Sequence, residues 1–217
     1  MRLFALLAAL SVLAAACGES PSSAPQSATS RSSTQVNPAR IDRVRTELPS
    51  GYEVAALSGR AAPIAFWGLG TDWMADPQRC GALADPVAGD STTRGWSASG
   101  ARGIVYAVVA TSAATLDRSL ITECSQWTVS AGRTSGSVTL VAAPAIDGAA
   151  TVGLSTTATT AVEGGTETHS HADTFTAYLG DYVAFVTVVT DPGSPNPALG
   201  QDFAAELLVK TVSALRG

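Results

Sequence analysis

From residue 38 onward, apolar positions alternate between two periods, about 3.6 residues for helix and 2 for strand. Asn37 and Pro38 predict a helix start, with Asn37 as N-cap and proline in the first turn. Ile41, Val44, Arg45 and Leu48 follow at helical spacing, and Pro49 ends the run. Residues 52–57 read as a strand with Tyr52, Val54 and Ala56 on one face. Residues 63–69 are apolar and aromatic and are limited by Gly68 and Gly70. Residues 73–77 predict a loop or short helical turn. Residues 80–84 predict a short helix ended by Asp85-Pro86. The polar, glycine-rich stretch 87–101 predicts a loop.

A β-branched strand is expected at 103–111. Leu116, Leu120, Cys124 and Trp127 have helical spacing and predict a helix over 115–127. Alternating strands are expected at 137–143 and 151–159, joined through Pro144 and Gly148. Two more, 166–178 and 182–190, are joined by Gly180-Asp181, a strong hairpin signal. After turns at Pro192 and Pro195, residues 199–215 form a last amphipathic helix with Phe203, Leu207, Leu208 and Leu215 inward. Helices grouped against successive antiparallel strands make an α+β domain: an antiparallel β-sheet packed against a few helices.

The N-terminus has a different pattern. Arg2 precedes an apolar run, 3–16, broken only by Ser11 and closed by Ala14, Ala15 and Ala16. A basic start, a short apolar core and a small-residue exit describe a signal peptide over residues 1–16. Such a run is shorter than the roughly 20 residues a membrane-spanning helix needs. Residues 13–17, Leu-Ala-Ala-Ala-Cys, resemble the bacterial lipobox, which implies acylation of Cys17 after cleavage. Leu13 stands one position earlier than that motif prefers, and Ala14-x-Ala16 also fits an ordinary secretory cut. Residues 17–37 are rich in Ser, Thr, Pro and Ala and predict a lipidated, disordered tether. Residues 38–217 then form one extracytoplasmic domain attached to a membrane by its lipid.

Charge narrows the partners. The 217 residues hold 13 basic and 18 acidic side chains, a net charge of −5, and Lys210 is the single lysine. Nucleic acid is excluded as a partner because no basic face is available to displace counterions. Of three cysteines, Cys80 and Cys124 remain once Cys17 is acylated, an even pair expected to form a disulfide outside the cytosol. Two separate buried thiols are the alternative. The spacing excludes a Cys-x-x-Cys redox site, and no second Cys/His cluster exists for zinc.

The order of motifs resembles the extracellular sensor domain of the mycobacterial serine/threonine kinase PknH and the lipoproteins of unknown function that share it. The carrying features are the opening helix ending in Leu48-Pro49, the Cys80-Gly81-Ala82-Leu83 segment, and the helix carrying Cys124 and Trp127. The hairpin 178–190 and the closing helix 203–215 complete the match. The resemblance implies an antiparallel sheet, long helices and a ligand-binding cleft, with no established activity. Sensor domains of this type carry two disulfides; this chain holds cysteines for one.

Candidate chemistry is sparse. His169 and His171 share one face of the strand at 166–178, and Glu167 and Asp173 extend it. Four ligands in one row cannot wrap an ion, because their ends lie about 20 Å apart at about 3.3 Å per residue. A solvated strand face or a pH-sensitive contact is the expectation, and no metal or cofactor is predicted. Gly95-Trp96-Ser97-Ala98-Ser99 lacks the second glycine of a nucleophile elbow, and Gly132-Arg133-Thr134-Ser135-Gly136 follows a helix instead of a strand. No phosphate loop occurs. Trp127 reads as core, and Trp96, in the polar stretch, as an exposed contact residue. Trp96, His169 and His171 are therefore the candidate ligand contacts, with no catalytic residue assigned. Three functions follow: a binding or sensor-like envelope module for a small amphipathic ligand or a protein, an interaction protein contacting wall or membrane, and a hydrolase using His169 or His171.

Overall fold

Asn37 and Pro38 open the first element as the sequence indicates. The Asn37 side-chain oxygen accepts the Ala39 N–H at 3.0 Å, and a 3-10 helix runs Pro38–Glu47 with Ile41 and Val44 buried. These positions belong to a computed structural model that describes residues 35–57, 59, 61–87, 89 and 91–217. The expected signal peptide, Cys17 and the tether up to residue 34 lie outside the described residues. At the other end of the chain, the Asn37 N–H donates to the Leu215 carbonyl oxygen at 2.8 Å.

Nine strands follow: β1 (Glu53–Leu57), β2 (Met74–Asp76), β3 (Thr93–Gly100), β4 (Gly103–Thr111), β5 (Gln126–Ala131), β6 (Thr134–Val141), β7 (Ala150–Ala161), β8 (Glu167–Tyr178) and β9 (Tyr182–Thr190). The helices are α1 (Gly81–Ala84), α2 (Arg118–Glu123) and α3 (Gln201–Arg216). All nine strands join one antiparallel sheet in the order β1-β3-β4-β9-β8-β7-β6-β5-β2. The α+β expectation is met, although α3 is the one long α-helix among the described residues.

The sheet is the middle layer. On its first face, Trp96, Val105, Ala107, Phe175, Val186 and Val188 pack under Ile41, Val44 and the α3 residues Leu207, Leu208, Val212 and Leu215. On its second face, Trp127, Val129, Val138, Leu154 and Val183 pack under a segment that includes Ile64, Trp67, Leu83 and Val87. Central strands covered on both faces bury consecutive residues, which is why 105–110 and 183–188 read as nearly unbroken apolar runs. Three buried polar groups on the second face form one chain of contacts. Trp67 Nε1 donates to Thr174 Oγ1 at 3.0 Å, and Thr174 Oγ1 lies 2.9 Å from Thr187 Oγ1.

The hairpin β8–β9 turns at Gly180 (φ 77°), as its sequence signal requires. Four expectations change. Residues 73–77 hold an edge strand, β2, not a turn, because Met74–Asp76 pairs with β5. The stretch 87–101 is not all loop: β3 lies between β1 and β4, and glycines there admit close neighbours. The helix expected over 115–127 is only Arg118–Glu123; Trp127 is on β5. Gly132 follows strand β5, not a helix, and Thr134 and Gly136 are strand residues of β6.

A half-exposed tryptophan between two clefts and a polar sheet face

Strand β3 carries Trp96 to the first face, where the opening helix covers it. The ring is fully buried and its Nε1 donates to the Ile41 carbonyl oxygen at 3.2 Å. The exposed role expected of Trp96 is thereby overturned: an indole sealed beneath a helix offers no surface to a ligand. Trp67 and Trp127 are also buried, with ring centroids 6.4 Å apart.

Trp73 is the tryptophan that retains exposure. It precedes β2, and its ring rests against the backbone of Gly81, where a Cβ would lie 3.1 Å from Cη2 and Cζ3. A side chain at Gly81 would push the indole away, so glycine shapes its seat. One cleft of about 440 Å³ is lined by Trp73, Met74, Ala75, Gln78 and Gly81. Another, of about 300 Å³, lies among Ala62, Ile64, Ala65, Thr71, Trp73 and Asp85. Trp73 is common to both. Apolar walls with a few polar atoms at the rim are the usual make-up of a small-molecule site.

Trp73 packs against a core cluster that contains a covalent cross-link. Cys80, next to Gly81, is bonded to Cys124 at the end of α2, with S–S 2.04 Å and Cα–Cα 5.6 Å. The expected Cys80–Cys124 disulfide is therefore present. Beside it, Arg79 pairs with Glu123 and donates to Ser119 Oγ at 3.2 Å. In the sequence, Trp73 looks like a loop aromatic of no distinction. The signal that could have found it is its position seven residues before a Cys-Gly pair, which only the folded register brings back beneath the ring.

The histidines occupy the first face of β8 in the N-terminal half of the strand, whereas Phe175 and Ala177 in its other half belong to the core under α3. Both share that face, as i and i+2 positions must. They engage different neighbours. His169 Nδ1 lies 3.1 Å from Thr159 Oγ1 on β7. His171 Nε2 lies 3.1 Å from Asp173 Oδ1, and Asp173 is buried. The Asp173 hydrogen bond raises the His171 pKa above its ordinary 6.5, partial burial opposes it, and the carboxylate charge adds to the rise.

The face around the histidines is polar and open. On it lie Gln126, Thr128 and Ser130 of β5; Ser135, Ser137 and Thr139 of β6; and Ser155, Thr157 and Thr159 of β7. Each of these is exposed or half-buried. On the opposite face, Thr134 Oγ1 lies 2.9 Å from Thr160 Oγ1, so that hydroxyl serves cross-strand pairing. The structure brings His169 and His171 together on this polar surface. It places Trp96 beneath the opening helix and Trp73 with the core of the second face.

Among solved structures, the chain is similar to an uncharacterised protein (Rv0999 ortholog) from Mycobacterium smegmatis. The identity is 17%, the alignment covers 85% of this chain and 100% of that one, and the TM-score is 0.62. At that identity the likeness concerns the fold. No curated protein matches. The family described as domain of unknown function DUF5642 matches residues 37–216, nearly the whole described domain, and this chain belongs to it.

Proposed function

We propose that this protein is a non-catalytic binding module of the cell envelope, anchored by a lipid on Cys17, that takes a small apolar or amphipathic ligand at Trp73. The observation that carries the reading is the contrast among the tryptophans. Trp67, Trp96 and Trp127 are buried as packing anchors, whereas Trp73 keeps exposure and forms a wall of two clefts. An aromatic that gives up burial between concave apolar surfaces gains from a ligand what it lacks from the core. The likeness to lipoproteins and sensor domains, and the signal-like N-terminus, support the envelope location. They also favour binding over turnover.

Because the other three indoles are buried, acrylamide quenching of intrinsic fluorescence reports mainly Trp73. Dodecyl maltoside, added below its micellar concentration, is expected to shift the emission to the blue and to reduce quenching. Trp73→Phe should abolish both changes; a response that persists in that variant refutes the site. The anchor is tested separately with Cys17→Ala, which should release the protein from membranes and end palmitate labelling. Continued attachment of that variant would refute the anchor alone.

A further inference from the structure

We propose that the open first face of β5 to β8 is a second docking surface, built for a neutral polysaccharide. Antiparallel pairing aligns its polar side chains into rows across the strands. One row runs Asp76, Thr128, Ser137, Thr157 and His171, each the register partner of the next. A neighbouring row runs Met74, Ser130, Ser135, Thr159 and His169. Adjacent strands lie about 4.8 Å apart. From β5 to β8 each row therefore offers one polar group per strand at intervals close to the length of a pyranose unit in an extended chain.

The chemistry of these rows selects the occupant. The hydroxyl positions on β5, β6 and β7 include no lysine or arginine, and the charged members of the rows and their continuation on β8 are Asp76, Glu167, Asp173 and the titratable histidines. An anionic polymer would meet carboxylates with no fixed cation to receive it. A protein interface would need an apolar, aromatic-rich centre, whereas the apolar member of the two rows is Met74, at the sheet edge. A neutral polymer rich in hydroxyls matches a surface that both donates and accepts hydrogen bonds and carries little charge. Threonine adds preorganisation. Its β-branch restricts χ1 in a strand, so Thr128, Thr157 and Thr159 hold their hydroxyls in few orientations before anything binds.

The test is affinity electrophoresis of the full mature protein in native gels. The gels contain a soluble β-glucan, an α-glucan, a galactan or, as the charged counterpart, alginate. The expected result is retardation in at least one neutral gel and none in alginate. The Thr128→Ala, Ser137→Ala, Thr157→Ala triple variant removes three hydroxyls without changing charge. Its retention should weaken about tenfold or more, with an unchanged melting temperature showing that the sheet is intact. Trp73→Phe should leave retention as in the wild type, which separates this surface from the clefts. The proposal is overturned if no neutral polymer retards the protein, if alginate retards it more, or if the triple variant binds as well as the wild type.

Discussion

Trp96 and Ile41, 55 residues apart in sequence, are joined by a 3.2 Å hydrogen bond from the indole nitrogen to the backbone oxygen. Both residues are fully buried, so the bond ties the opening 3-10 helix to strand β3 in a place water does not reach. Trp96→Phe removes the donor, leaves the Ile41 carbonyl without it, and opens space beneath the helix. The expected cost is about 2 to 4 kcal/mol. Urea denaturation should show a lower midpoint at an unchanged slope.

The Cys80–Cys124 bond closes a loop with a sequence separation of 44. On a chain-entropy account, such a cross-link destabilises the unfolded chain by about 4 kcal/mol. The Cys80→Ala, Cys124→Ala pair should therefore melt well below the wild type, as should the wild type in a phosphine reductant. Because Trp73 packs against the cluster that holds both cysteines, the emission of the reduced protein should move to the red while it remains folded. Thermal scans with and without reductant, read by both circular dichroism and fluorescence, check both statements.

His171 supplies a pH dependence whose sign follows from its partner. Its folded-state pKa is raised above 6.5, chiefly by the hydrogen bond to Asp173. The folded state therefore holds the proton more tightly than the unfolded chain does. The stabilisation is fully present below 6.5 and is lost as pH rises through the elevated folded value. His171→Gln removes this titration. The difference in melting temperature between wild type and variant should be largest in mild acid and shrink through neutrality. A difference that grows with pH would contradict the assigned pairing.

The hairpin β8–β9 was legible because a two-residue Gly-Asp turn leaves little choice of register and the flanking strands are β-branched. Strand β3 was not, because its glycines read as loop punctuation. Here they serve close approach: a Cβ at Gly95 would lie 2.4 Å from the Ala107 carbonyl oxygen, and one at Gly100 would lie 2.6 Å from the Tyr52 ring. Periodicity cannot distinguish a glycine that breaks a strand from one that lets a neighbour in. The overlong helix at 115–127 has a related cause. Leu120, Cys124 and Trp127 are all buried, as their spacing suggests, but the chain leaves the helix at Cys124 and enters β5. The apolar spacing was correct while the backbone was not. For the candidate site, the shared face of His169 and His171 could be read from strand alternation alone. Trp73 could not, since its exposure depends on Gly81 and on the pairing of β2 with β5, both set by long-range contacts.

The hydrogen bond between Asn37 and Leu215 places the first and last elements of the domain side by side. A short linker could therefore join residue 217 to residue 35 without crossing the sheet, with new ends opened at the exposed Gly164-Gly165 turn between β7 and β8. Such a circular permutant would keep every strand neighbour in place, and the order in which the chain is synthesised would become independent of the architecture it reaches.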